Sequence, residues 1–209
     1  MSFPGMSRPG CLARPRHDGI FSDTTYMIKI LGISGSLRAQ SFNTALMHAA
    51  QSLAGPGIQF DTATLHGIPL YDGDVEQREG LPAAVVQLKE RVIASDGVLL
   101  CTPEYNNGIP GVFKNAMDWL SRPSSDIARV FGGRPFAVIG ASPGGFGTIL
   151  SQTAWLPVLR TLGTRHWLGG RLLVSRANQM FDADGTLRDE ATRARLAEFV
   201  QGFAVFAKP

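Results

Sequence analysis

The residues from 32 to 43 contain several side chains suited to binding an anion, and they read GISGSLRAQSFN. The hydrogen-bonding and basic side chains among them are Ser36, Arg38, Ser41 and Asn43. An apolar run precedes them and a helical pattern follows, and the free amides at a helix N-terminus bind anions. Gly35 allows a tight turn at this junction. The segment therefore predicts a site for a phosphate monoester, with simple helix capping by Ser41 and Asn43 as the alternative.

This segment differs from two well-known phosphate-binding loops. It lacks the Gly-Lys-Ser/Thr end of a Walker loop, and it does not contain G-x-G-x-x-G. The sequence therefore does not support a P-loop NTPase, and the absence of G-x-G-x-x-G weakens the interpretation of this chain as an ordinary dinucleotide-binding fold.

A second candidate segment spans 102–110 and reads TPEYNNGIP. Two prolines and a glycine restrict such a loop, so its backbone N–H and C=O groups have fixed positions that could recognise the edge of a heterocycle. Tyr105 could pack against a planar ring. The alternative is an ordinary turn carrying an exposed aromatic side chain.

A third candidate segment spans 142–147 and reads SPGGFG. Three glycines in six positions predict that a flat molecule approaches the backbone closely. Flexibility alone is the alternative explanation of the glycines.

Alternating strands and helices must position these three loops. Apolar runs predict strands at 27–34, 58–65, 96–102, 135–141 and 171–175. Apolar spacing of three and four predicts helices at 41–54, 81–94, from Pro110 onward, at 148–162 with an interruption or kink at Pro157, and at 187–206. The polar stretch 67–80 is expected to be a loop. The pattern predicts an α/β fold, a flavodoxin-like doubly wound sheet of five parallel strands with helices on both faces. All three loops then lie at the carboxyl edge, where such sheets bind mononucleotides.

Composition excludes several other classes of protein. The 209 residues carry a formal net charge of +3, which is too small to indicate nucleic-acid binding. Two cysteines cannot form a disulfide framework, and Cys101 is expected in the core. The four histidines are isolated, so no metal site is predicted. No Gly-x-Ser-x-Gly hydrolase motif is present.

Residues 1–26 show no apolar period and are expected to be a disordered N-terminal extension. We expect one domain over 27–209, beginning at a second methionine. The absence of a signal-peptide pattern and of a long apolar run predicts a cytoplasmic protein without membrane contact.

The segments 32–43 and 102–122 resemble motifs of the NADPH-dependent FMN reductase family, which includes chromate, quinone and azo-dye reductases; the second segment reads TPEYNNGIPGVFKNAMDWLSR. The resemblance covers 27–209 and implies FMN as cofactor with NADPH or NADH as electron donor. It implies phosphate binding by Ser36, Arg38, Ser41, Phe42 and Asn43. It further implies that the isoalloxazine is lined by Pro103, Glu104, Tyr105 and Asn106 and is covered by Ser142, Gly144 and Gly145.

The family resemblance also implies the reaction. Hydride would pass from NAD(P)H to N5 of the flavin and then to a small acceptor such as a quinone, azo compound, metal oxyanion or free flavin. No side chain is assigned a catalytic role, since Tyr105 and Asn106 would only position the ring. Members of the family are typically homodimers or homotetramers. The alternative is a flavodoxin-like electron carrier, although such carriers usually have a T-G-N-T-type phosphate loop and an acidic surface.

Overall fold

A computed structural model describes residues 26–209 of the chain. The predicted disordered extension therefore lies outside the described residues, except for Tyr26, whose hydroxyl donates to Asp96 Oδ1 at 2.7 Å.

The described part of the chain contains six strands, eight α-helices and one 3-10 helix at Ser124–Asp126. The strands are β1 (Ile28–Ser34), β2 (Ile58–Ala63), β3 (Gly97–Cys101), β4 (Pro135–Ala141), β5 (Arg165–His166) and β6 (Leu173–Val174). The helices are α1 (Phe42–Ser52), α2 (Gly73–Glu79), α3 (Ala83–Ile93), α4 (Gly111–Leu120), α5 (Ile127–Val130), α6 (Ile149–Thr161), α7 (Ala177–Met180) and α8 (Glu190–Ala207).

The strands pair in the order β2-β1-β3-β4-β5, and every pairing is parallel. This is the doubly wound order in which the direction of winding reverses between β1 and β3. The predicted flavodoxin-like sheet of five parallel strands is confirmed. β6 adds a short extra pairing with the last two residues of β4.

Two apolar cores lie on opposite faces of the sheet. Alternate residues of β1 point to opposite faces, so Ile30 packs in one core and Leu31 in the other. The first core contains buried residues of α1 and α8, and the second contains those of α3, α4, α5 and α6. Cys101 is fully buried, as predicted.

The stretch 67–80 is not only a loop, because it contains α2. Asp72 begins this helix by accepting hydrogen bonds from Asp74 N at 2.9 Å and Val75 N at 3.4 Å. Gly80 ends it with a positive φ of 76°. No residue of α2 is buried. A helix that is stabilised by its caps and has no apolar face shows no hydrophobic periodicity in its sequence. This explains why the prediction of a loop over 67–80 is wrong.

The structure also differs from the predictions at the fifth strand, at Pro157 and at the start of the last helix. The fifth strand was expected at 171–175, but β5 lies earlier and β6 covers only Leu173–Val174. α6 continues through Pro157 without interruption. The last helix begins after Asp189, whose carboxylate caps it by accepting from Thr192 N at 2.8 Å, rather than at 187. Runs of two residues are too short to show a strand period, and caps rather than apolar spacing set helix starts.

Candidate functional site

The three predicted loops begin at adjacent strand ends of the sheet. Gly35 N donates to Cys101 O at 2.9 Å, which joins the first loop to the end of β3. Thr102 N donates to Ile139 O at 2.8 Å, which joins the second loop to β4. The carboxyl edge thus brings the three segments together, as expected from the strand order.

The first loop ends in a capped helix N-terminus. Ser41 Oγ accepts hydrogen bonds from Asn43 N at 3.2 Å and Thr44 N at 3.4 Å, so Ser41 is the N-cap of α1. Phe42 N has no hydrogen-bond partner among the described residues. Arg38 is exposed and makes no ion pair within the described part of the chain. A free amide, a helix dipole and an unpaired guanidinium are together suited to an anion.

Ser36 supports the turn of this loop. Its side chain is buried, and Ser36 Oγ accepts a hydrogen bond from Arg38 N at 3.3 Å. The hydroxyl hydrogen is still able to donate to a group bound at the loop. Gly35 lies directly beneath, where an added Cβ would come within 2.1 Å of the Phe113 ring. Only glycine fits at this point of the turn.

Asn43 joins the first loop to β4. Its Nδ2 donates to Ala141 O at 2.9 Å, and its Oδ1 accepts from Ala141 N at 2.9 Å. Both residues are buried. The side-chain amide is therefore occupied within the protein, and a phosphate-binding role for Asn43 stays a prediction. Residue spacing does not predict this contact, because the two residues are 98 positions apart.

The second loop is a tight hairpin. Tyr105 N donates to Gly108 O at 3.2 Å, and Gly108 N donates to Tyr105 O at 3.0 Å. Between them Asn106 and Asn107 have φ of 49° and 63°. Two consecutive positive φ values define a type I′ turn, for which asparagine is well suited. Tyr105 is 51% exposed on this rigid hairpin, where a planar molecule could pack against it.

Buried polar contacts support the second loop from below. Thr102 is fully buried and its Oγ1 donates to Pro103 O at 2.9 Å. Thr102 Oγ1 also accepts from Trp155 Nε1 at 3.1 Å and lies 2.9 Å from Ser151 Oγ. The sequence does not identify Ser151 and Trp155 as contacts, because it does not determine which face of α6 packs against the second loop.

Glu104 also contacts α6 rather than solvent alone. Its Oε2 accepts from Leu150 N at 2.8 Å and from Ser151 N at 3.0 Å. A carboxylate that accepts first-turn amides stabilises a helix N-terminus through hydrogen bonds and through the helix dipole. The carboxylate predicted to line a ring is thus engaged with α6, and its ring contact stays a prediction.

The third loop is held at both ends. Ser142 Oγ donates to Gly147 O at 2.6 Å, and Arg176 N donates to Gly144 O at 3.0 Å. A Cβ added at Gly145 would meet nothing within 4 Å, so no neighbouring atom of the protein requires glycine there. The open backbone between the two tied ends leaves room for a flat ligand.

A cavity of about 780 Å³ adjoins the first loop only. It lies between α1 and the segment 178–187, and its lining includes Arg38, Ser41, Phe42, His48 and Phe181. No residue of the second or third loop lines it. The first loop is therefore part of the wall of this cavity, whereas the second and third loops lie outside it.

Cys101, the last residue of β3, lies directly before the second loop. Complete burial raises the pKa of the Cys101 thiol well above its ordinary range. Between residues 26 and 209, no three His, Cys, Asp or Glu side chains are grouped so as to hold a metal ion. None of the helices described is long and apolar enough to cross a membrane.

The sheet order defines a flavodoxin-like α/β protein, a fold in which mononucleotides bind at the β1/β3 switch point. The family model of NADPH-dependent FMN reductases matches residues 28–179, and the chain belongs to this family. The resemblance carried by residues 32–43 and 102–122 is thereby confirmed.

Curated relatives and solved structures agree with this assignment. An NAD(P)H-dependent FMN reductase of Pseudomonas aeruginosa is 40% identical over 181 residues, covering 87% of this chain and 96% of that protein. A 2-hydroxy-1,4-benzoquinone reductase of a Burkholderia species is 36% identical over 181 residues, covering 87% and 97%. The structure of a flavoenzyme NAD(P)H:(acceptor) oxidoreductase of Paracoccus denitrificans has a TM-score of 0.77 at 35% identity, covering 86% of this chain and 97% of that one. The chain is an oxidoreductase, and the electron-carrier alternative is not supported.

Proposed function

We propose that this protein holds FMN at the three loops and uses NADPH or NADH to reduce a small acceptor such as a quinone. The observation that carries the proposal is the first loop, which has a free Phe42 amide at the start of α1 and an unpaired Arg38 guanidinium, both lining one cavity. The N-terminus of α1 lies at the topological switch point of the sheet, where doubly wound sheets bind mononucleotides.

The donor set fits a phosphate monoester. Arg38 would supply a charge-assisted hydrogen bond, and Ser36, Ser41 and the Phe42 amide would supply neutral ones. Ser41 can donate its hydroxyl hydrogen while its oxygen still caps α1, because the cap uses only lone pairs. Asn43 would act mainly by holding this loop against β4.

The ring side of the proposed site rests on the other two loops. Bound FMN supplies the redox chemistry, since it accepts a hydride and gives electrons to a second substrate. The buried Pro103 and the rigid turn through Asn106 would fix the backbone beside the ring, while Tyr105 would pack on it. The open backbone at Gly144 and Gly145, beginning at Ser142, would cover the opposite edge. None of these groups has a proposed role in proton transfer.

The chemistry of the acceptor is proposed from the relatives. One matched relative is named for a benzoquinone and others for quinones, which supports a planar organic acceptor. The exposed side chains of Tyr105 and Phe146 on the second and third loops are compatible with a planar acceptor packing there. A cytoplasmic location stays a prediction of the sequence.

We also propose that the protein works as a homodimer or homotetramer. Three large apolar side chains are exposed on the second loop, the third loop and the first turn of α6: Tyr105 at 51%, Phe146 at 81% and Leu150 at 45%. Apolar groups clustered at a functional edge mark ligand or subunit contacts. Sedimentation at micromolar concentration tests this, and a fully active monomer would contradict it.

Flavin titration of the apoprotein tests the site. Arg38→Ala and Ser41→Ala each remove a hydrogen bond to a charged group, which is worth about 1.5–3 kcal/mol and corresponds to about 10- to 100-fold in Kd. Arg195→Ala, an exposed change on α8, is the matched control and should leave the Kd unchanged. Unchanged affinity in both loop variants would mean that the loop serves only as a helix cap.

Turnover completes the test of function. NADPH oxidation should be supported by FMN-loaded protein with a quinone, and a panel adding azo dye, chromate and free FMN identifies the preferred acceptor. Tyr105→Phe should keep most of the turnover, whereas Tyr105→Ala should lose more, because the proposed role of this side chain is packing. A collapse of turnover in Tyr105→Phe alone would assign chemistry to the hydroxyl instead.

A further inference from the structure

Glu104 connects two loops that are far apart in sequence. The residue follows β3, yet its carboxylate accepts the amides of Leu150 and Ser151 in the first turn of α6, 46 and 47 positions away. α6 follows the third loop directly. The contact therefore runs from the second loop to the far end of the third.

α6 has no side-chain cap of its own. The residue at its N-cap position, Thr148, makes no side-chain bond to the helix amides, and its Oγ1 accepts from Gln152 Nε2 at 3.1 Å instead. Without Glu104, the amides of residues 150 and 151 would lose their acceptor. Unsatisfied first-turn amides favour fraying of the helix end.

A second contact acts in parallel with this one. Thr102 lies two residues before Glu104, and its Oγ1 is 2.9 Å from Ser151 Oγ in fully buried surroundings. The start of α6 is thus held at both its backbone and a side chain by the same short segment. These paired contacts join the second loop to the residues that directly follow the third loop.

We infer that Glu104 is a positioning residue that sets the spacing of the two loops on either side of the flavin ring, acting through the N-terminus of α6 rather than through a contact of its carboxylate with the ring. This inference rests on the proposed FMN site. It predicts that the two loops already have their spacing in the apoprotein, because the contacts that set it are made within the protein. Binding is tighter when loops need no ordering.

The experiment compares Glu104→Ala and Glu104→Gln with the wild-type protein. The alanine variant removes the acceptor, whereas glutamine keeps an oxygen of the same reach without the charge. Asp189→Ala is the matched control, because Asp189 caps α8 in the same way and α8 contributes to none of the three loops. Three readouts are used: amide hydrogen exchange of the apoprotein, FMN titration and thermal unfolding.

Glu104→Ala should speed amide exchange over 143–151 in the apoprotein and weaken FMN binding by about 2- to 30-fold, the range for residues that act on a site indirectly. Glu104→Gln should have amide exchange over 143–151 and FMN affinity close to those of the wild-type protein. Asp189→Ala should lower the unfolding temperature while leaving the FMN Kd and the exchange of 143–151 unchanged.

Two results would overturn the inference. Weaker FMN binding with unchanged exchange over 143–151 would indicate a direct contact between the carboxylate and the flavin. Faster exchange with unchanged FMN binding would make Glu104 a helix cap without influence on the site. If wild-type protein binds no FMN, the proposed function fails, whereas the exchange result still reports whether Glu104 holds the third loop.

Discussion

Replacing Asn43 with alanine should destabilise the fold strongly, because the side chain satisfies two buried backbone groups at once. Asn43→Ala removes the donor to Ala141 O and the acceptor from Ala141 N, each at 2.9 Å. An unsatisfied buried polar group costs about 1–3 kcal/mol. With water partly filling the vacated space, we expect a loss of about 2–4 kcal/mol in the free energy of unfolding.

The matched control is Asn115→Ala on α4. Asn115 makes the same pair of contacts, with Nδ2 donating to Pro69 O and Oδ1 accepting from Tyr71 N, both at 2.8 Å. These contacts are solvent-exposed, so water can replace the lost amide. The expected loss is therefore about 1 kcal/mol.

Urea unfolding of the apoprotein, followed by the fluorescence of buried Trp119 and Trp155, measures both values. The expected loss for Asn43→Ala corresponds to a fall in Tm of about 4–16 °C for a domain of this size. Equal losses of unfolding free energy in the two variants would refute this reasoning, because burial of the hydrogen bonds would then not determine how much stability is lost. A normal stability of Asn43→Ala with weakened FMN binding would restore Asn43 as a phosphate ligand.

Three further predictions follow from other contacts. Gly140→Ala should abolish soluble expression or sharply lower the Tm, since the new Cβ would come within 2.0 Å of Thr148 Oγ1; a normal Tm would contradict the close packing there. Cys101 should react with a thiol reagent only on unfolding, because burial suppresses the thiolate, and fast native labelling would disprove this. Partial burial alone would raise the pKa of Glu76, but hydrogen bonds from Arg122 and Tyr71 lower it overall. The wild-type protein should therefore be more stable than Glu76→Gln near neutral pH, and this difference should be lost as the pH falls through the lowered pKa of Glu76. A stability difference that persists in acid would refute the ion pair as its cause.

The sequence was sufficient to predict the sheet and the positions of the three loops. β1, β3 and β4 are almost entirely buried, so each appears as an apolar run followed by turn residues. Parallel strands then require all three loops to lie at one edge. β4 was predicted with the bounds that it has, 135–141.

The contacts that hold the loops together could not be predicted in the same way. Asn43 and Glu104 look like ligand-binding side chains in sequence, yet their polar atoms reach residues 98 and 46 positions away. Such pairings depend on how helices dock on the sheet, which residue spacing within one segment does not encode. The same limit explains the two-residue strands β5 and β6, which are defined by their partner β4 rather than by their own pattern.

The divided pairing of β4 has a consequence for how copies of the protein can associate. Its outer side is covered by two strands of only two residues each, so this edge of the sheet offers no long row of free backbone groups to another chain. At the opposite edge, Arg91 binds both the Asp61 carboxylate and the Thr62 carbonyl of β2, which places charge along that strand. Both features disfavour the addition of a further strand at the edges of the sheet. We therefore expect copies of the protein to associate through loops and helix faces rather than by continuing the sheet from one molecule into the next.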